Sequence, residues 1–144
     1  MTVKKLSIDE IPELLKLYEE LLPDDVRNDA QISRKIYEAV VKDDNYLILV
    51  AKDNDVLMGT AMGVCCKTLA LAGKNFLVVE DVVVAQSSKG KGVGRRLLEA
   101  LDRFAAEKNC AYAILCSSAF RKGAHAFYEK MGYTDDVRGF RKLY

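Results

Sequence analysis

Apolar and polar positions alternate with two different periods along the chain, and the switches between those periods divide it into elements. Residues 3–6 make a short β run. Ser7 or Asp9 then stands where a helix cap is wanted, and Ile11, Leu14, Leu15, Tyr18, Leu21 and Leu22 recur at helical spacing. Pro12 falls in the first turn, where a missing N–H is tolerated. Leu22-Pro23-Asp24-Asp25 breaks that helix, and Ile32, Ile36, Tyr37, Val40 and Val41 mark a second one ending near Lys42-Asp43-Asp44. Residues 46–51 and 56–66 are β-rich runs around the polar turn 52–55, and residues 74–84 add a third strand, so the middle reads as an antiparallel meander. A glycine-rich segment leads into a helix with Leu97, Leu98, Leu101, Phe104 and Ala105 on one face, ending at Asn109. Residues 111–116 form a nearly all-apolar buried strand. Residues 123–131 form a last helix stopped by Gly132, and the weak alternation over 133–143 predicts one or two closing strands. The order predicts an α/β (α+β) fold, with a mixed, mostly antiparallel sheet of six to seven strands and about four helices.

Composition narrows the class. A length of 144 residues suits one domain spanning 1–144, and 50% hydrophobic with 30% charged residues excludes a disordered chain. Lys and Arg number 22 against 21 Asp and Glu, a net charge of +1, so no overall field draws the protein to nucleic acid or to a membrane. The N-terminus runs into an amphipathic segment instead of a signal-peptide core, which predicts a cytoplasmic protein. Four cysteines without a CxxC spacing, and His125 as the single histidine, predict reduced, mostly buried thiols and no metal site.

The chemistry concentrates after the third strand of the meander. Val82-Val83-Val84 gives way to Lys89-Gly90-Lys91-Gly92-Val93-Gly94 and then to a helix. Glycines at alternate positions let backbone N–H groups converge, and the helix N-terminus adds partial positive charge, so the loop suits a phosphate. Lys89, Lys91, Arg95 and Arg96 strengthen that potential. Two phosphate motifs fail here: Arg95 interrupts the GxGxxG of dinucleotide folds, and GxxxxGK[ST] is absent.

The run from Glu80-Asp81 through Gly94 resembles the acetyl-CoA loop of the GCN5-related N-acetyltransferase (GNAT) superfamily, with Lys89 in place of the usual Gln or Arg. Ala124-His125-Ala126-Phe127-Tyr128 through Gly132-Tyr133 is similar to the family's second signature, with Arg121 where Asn is common. The two signatures occur in order with a strand between them, and the resemblance covers residues 46–144; the N-terminal helices match only in kind. It implies a cleft between splayed central strands that takes acetyl-CoA as acyl donor. Val82, Val83 and Val84 would face pantetheine, and residues 89–94 with Arg95 the pyrophosphate. Ser117, Ala124, Phe127 and Tyr128 would line the other side. A backbone N–H near Val84 would stabilise the developing oxyanion. Glu80 or Asp81 would be the base that leaves the acceptor amine neutral, and since neighbours on a strand face opposite ways only one of them should reach the thioester. Tyr128 would be the acid that protonates the departing thiolate; a phenol with an ordinary pKa of about 10 holds its proton at neutral pH.

The reaction so implied is acetyl transfer to a primary amine of a small molecule. Arg121, Lys122, Arg138 and Arg141 are candidate partners for a phosphate on that acceptor, set against the plainer reading of a solvated basic face. A domain that binds acyl-CoA without chemistry, and acetylation of a protein amine, are the alternatives. Acceptor choice would lie in the N-terminal helices, the loops around the cleft, or the partner in a homodimer.

Overall fold

The computed structural model describes residues 1–22 and 26–144. β-branched and aromatic residues fill the strands: β1 (Thr2–Lys5), β2 (Tyr46–Asp53), β3 (Val56–Cys66), β4 (Asn75–Val84) and β5 (Cys110–Ile114). The helices are α1 (Ile11–Tyr18), α2 (Ala30–Val40), α3 (Val93–Glu107) and α4 (Lys122–Lys130), with short 3-10 turns at Ile8–Glu10 and Gln86–Ser88. The sheet follows sequence order from β1 to β5. Its first three pairings are antiparallel, and β5 joins β4 in parallel after the α3 crossover.

Strand alternation divides the apolar residues between two cores. Leu49 and Ala51 face α3, where Leu97, Leu98 and Leu101 are at most 1% exposed, while Val50 between them packs with Leu6, Ile11 and Leu14 beneath α1. Removing one such leucine side chain costs about 2–5 kcal/mol. Gly59 and Gly63 on β3 let α3 settle onto the sheet: a Cβ on Gly63 would stand 2.8 Å from Leu101 Cδ2. The α1 end is fastened by charge. Glu10, 7% exposed, takes Lys4 at 2.8 Å, Lys52 at 3.0 Å and the Ser7 N–H at 3.0 Å.

Several expectations are corrected. α1 ends at Tyr18, so Leu21 and Leu22 lie in a turn; of the expected break, Pro23, Asp24 and Asp25 lie outside the described residues. α2 forms over the predicted stretch, capped by Asp29, whose Oδ1 accepts the Ile32 N–H at 2.8 Å. Its Ile32 and Ile36 are nevertheless 59% and 58% exposed, and Tyr37 is what ties α2 down, donating its hydroxyl to Leu6 O at 2.9 Å. The closing strands do not form. Residues 133–144 are irregular and mostly exposed, so the described sheet has five strands and not six or seven. Asp135, Asp136 and Gly139 disfavour strand, and the tail makes no ladder with β5. The four cysteines are free, but only Cys65 is fully buried and Cys116 is exposed.

Candidate active site

β4 and β5 part company early. They pair at Asn75↔Cys110, Leu77↔Ala113 and Val78↔Ile114, after which the chain leaves β5, while β4 continues for six residues to Val84. β3 covers the other edge of β4 as far as Val84, so beyond Val78 one edge of β4 faces no strand among the described residues. Backbone groups on such an edge need partners, and an extended ligand with amide groups supplies them.

The glycine loop opens at the end of that edge. The N–H groups of Gly90, Gly92, Val93, Gly94 and Arg95 find no backbone acceptor among the described residues. Gly90 and Gly92 both have φ of +77°, where a side chain is strained, and a Cβ on either would meet nothing within 4 Å. Five unpaired donors at the N-terminus of the 15-residue α3 make an anion cradle. Lys89 and Lys91 are exposed beside it. Arg95 is engaged elsewhere: its Nε donates to Glu99 Oε1 at 2.7 Å, and only its backbone faces the loop.

Glu80 and Asp81 lie where β4 begins to run alone. The alternation expected across them fails. Met62 pairs with Glu80 but Thr60 pairs with Val83, which puts one extra residue into β4, and Asp81 takes up the bulge with φ of +52°. Both residues keep exposed surface, with their carboxyl groups partly withdrawn from water. Burial and Asp81 raise the Glu80 carboxyl above the ordinary range while Arg141 draws it down, and burial alone raises Asp81. Val83 is 7% exposed, whereas Val82 and Val84 are half-buried.

Tyr128 is close enough to Glu80 to feel its charge. It is 8% exposed, on the α4 face that packs on the α3 core, with its ring 5.3 Å from Phe127 and 5.9 Å from Tyr133. Burial raises its phenol, Arg121 opposes that, and Glu80 adds to it, so the hydroxyl keeps its proton well above neutral pH. Gly94 couples the two signatures physically, since a Cβ there would stand 3.0 Å from Phe127 Cζ. Ala124 is half-buried on α4. Ser117 Oγ is buried with no hydrogen-bond partner, the only such side-chain atom found among the described residues. An orphaned hydroxyl beside an unpaired strand edge fits a ligand that brings its own amide or carbonyl. His125 closes the turn into α4, with Nε2 3.0 Å from Ser118 O, and takes no visible part in the site.

Sequence reasoning missed two residues of α1 and the turn after it. Tyr18 is half-buried, and burial together with the nearby charge of Asp81 raises its phenol; Glu20 Oε2 accepts the Gln86 N–H at 2.8 Å. Nothing in the helical spacing of Tyr18 separates it from a core position, and Glu20 reads as a surface charge.

This arrangement can be set beside known proteins. The model of the Acetyltransferase (GNAT) family matches residues 11–133. An N-acetyltransferase of Bacillus subtilis named YhdJ, itself uncharacterized, is 30% identical over 109 residues, 73% of each chain. Glucosamine 6-phosphate N-acetyltransferase of Candida albicans is 42% identical over 57 residues, 40% of this chain and 36% of that one. A solved structure from Agrobacterium tumefaciens str. C58 covers 100% of both chains at a TM-score of 0.92 and 26% identity. The glucosamine-6-phosphate N-acetyltransferase of Arabidopsis thaliana shares the fold at a TM-score of 0.86, 23% identity, and 99% and 97% coverage. The family match spans the unpaired β4 edge, the glycine loop and the tyrosine of α4 together, and the chain belongs to the GNAT family as an N-acetyltransferase.

Proposed function

We propose that this enzyme moves acetyl from acetyl-CoA to a primary amine of a small molecule by direct attack, with Glu80 as base and Tyr128 as acid. The observation that carries the reading is the β4 edge left unpaired beyond Val78, running straight into five unpaired N–H groups at the start of α3. That track suits pantetheine followed by pyrophosphate. The donor supplies an activated thioester; the protein supplies position and protons. Glu80 takes the proton that otherwise blocks the lone pair of the amine, and its raised pKa favours that exchange. Asp81, one residue on at the bulge, is the other candidate base. As the new C–N bond forms and the C–S bond breaks, Tyr128 gives its proton to sulfur, and the second proton that nitrogen sheds passes through water to restore the phenol. Arg121, which opposes the upward push of burial on Tyr128, keeps that phenol a usable acid.

The relatives that act on glucosamine 6-phosphate support a small amine as acceptor. Free thiols at all four cysteines go with a cytoplasmic setting. The test is calorimetry with acetyl-CoA, followed by thiol release over a panel of small amines. Binding with turnover is expected; binding without turnover favours a domain that binds acyl-CoA without chemistry, and absence of binding removes the reading.

A further inference from the structure

β3, β4 and β5 turn alternate residues to the sheet face opposite α3, and that face is apolar without belonging to a core. Met62 pairs with Glu80, Val64 with Val78, and Val78 in turn with Ile114, and partners across a ladder share a face. Phe76 and Tyr112 extend the floor one row further, their rings stacked at 5.4 Å and 17°. Among the described residues, Met62, Val64, Phe76, Val78, Tyr112 and Ile114 join neither the cluster beneath α3 nor the one beneath α1. Tyr112 and Ile114 are 47% and 42% exposed, and the other four are half-buried. A contiguous apolar patch open to water marks a binding surface.

The place of the patch decides what it binds. Glu80 comes before the bulge, so it keeps the pleat of Val78 and stands on the same face about 7 Å along the strand. β4 and β5 separate after Val78 and Ile114, so the floor ends where the unpaired β4 edge begins. On the far side of Glu80 the same face is closed, because Val83 and its partner Thr60 are 7% and 0% exposed. An ammonium drawn to Glu80 therefore has open ground for its substituent only back over Val78 and Ile114. That ground offers apolar area to be withdrawn from water. We infer that this face is the acceptor subsite, and that the amine it takes carries an apolar aryl or branched alkyl group. The inference rests on the acetyl-transfer reading for the role of Glu80, but the apolar site itself does not.

Calorimetry in the presence of CoA tests it, with 2-phenylethylamine and 3-methylbutylamine against ethylamine. The wild type should bind the two apolar amines about tenfold to a hundredfold more tightly, the worth of burying a phenyl or branched alkyl group. Val78→Thr and Ile114→Thr keep strand propensity while adding a hydroxyl, and each should cut the preference severalfold and leave ethylamine as it was. Val56→Thr, at the other end of β3 and 65% exposed, should change nothing. Equal binding of the three amines, tighter binding of glucosamine 6-phosphate than of either apolar amine, no binding of any of them, or a preference that survives both Val78→Thr and Ile114→Thr overturns the inference. Sedimentation reads the rival occupant: Ile114→Thr should leave the wild-type mass unchanged, and a dimer that it dissociates puts a second copy on this face and overturns the assignment. Thiol release from acetyl-CoA separates the two readings. Selective binding of the apolar amines without release removes acetyl transfer and leaves the site standing, whereas release at equal kcat/KM from all three amines leaves transfer standing and removes the site.

Discussion

A phenol on a core face is ordinary, so the proposed role of Tyr128 as acid rests on its neighbours. Burial raises its pKa, Arg121 lowers it and Glu80 raises it, so it holds a proton to give. Tyr128→Phe should cut kcat by about a hundredfold or more while leaving acetyl-CoA affinity near wild type; unchanged kcat in steady-state assays would remove the role. Glu80 predicts the acid limb of the pH profile. A base works only when deprotonated, and burial with Asp81 raises Glu80, so kcat/KM should fall as pH drops through a midpoint above the ordinary 4.5. Arg141 draws Glu80 down, so Arg141→Ala should move that midpoint upward. Glu80→Gln should erase the limb; if Asp81→Asn erases it instead, the base is Asp81. The choice between them was hidden in the sequence for a physical reason, since a bulge at Asp81 breaks the two-residue period on which side-chain direction rests.

Among elements, legibility tracked burial. α3 was readable to its individual leucines because one face is wholly buried, β2 and β3 because each sends side chains into both cores, and β4 because Leu77 and Val79 enter the core beneath α3. α2 was legible as a helix and misleading as packing, since Ile32 and Ile36 keep helical spacing yet remain exposed. The tail was misread because weak alternation is also what a charged irregular segment shows, and a strand needs a ladder that spacing cannot guarantee. The glycine loop and its turn geometry were legible from its glycines, and the open edge of β4 was expected from family likeness instead of from any residue pattern. Two glycines give opposed expectations. Gly92→Ala strains a left-handed position in open space, costing about 1–2 kcal/mol, and should weaken acetyl-CoA in calorimetry more than it lowers Tm. Gly59→Ala pushes a Cβ to 2.9 Å from the fixed Val83 carbonyl oxygen, and urea unfolding should register a loss of about 1–3 kcal/mol.

For the molecule as a whole, Glu10 is the group whose ionisation the fold depends on. Burial pushes it up, but Lys4, the Ser7 N–H and Lys52 together bring it from 4.5 to about 2. A carboxyl lowered on folding stabilises the native state above its unfolded pKa, and that stability is lost as pH falls from about 4.5 through about 2. The wild type should lose on the order of 2–3 kcal/mol over that window, and Glu10→Gln, less stable at neutral pH, should lose less there. Chemical unfolding at a series of pH values checks both. The parting of β4 from β5 has a consequence at the same scale. An edge kept free so that a donor molecule can lie along it is equally free for a strand of another chain, and the protein with nothing in its cleft carries the hazard of any uncovered sheet margin. On the proposed reading acetyl-CoA would act as a removable strand, covering that margin while it is bound, and the unliganded protein should self-associate more readily than the liganded one.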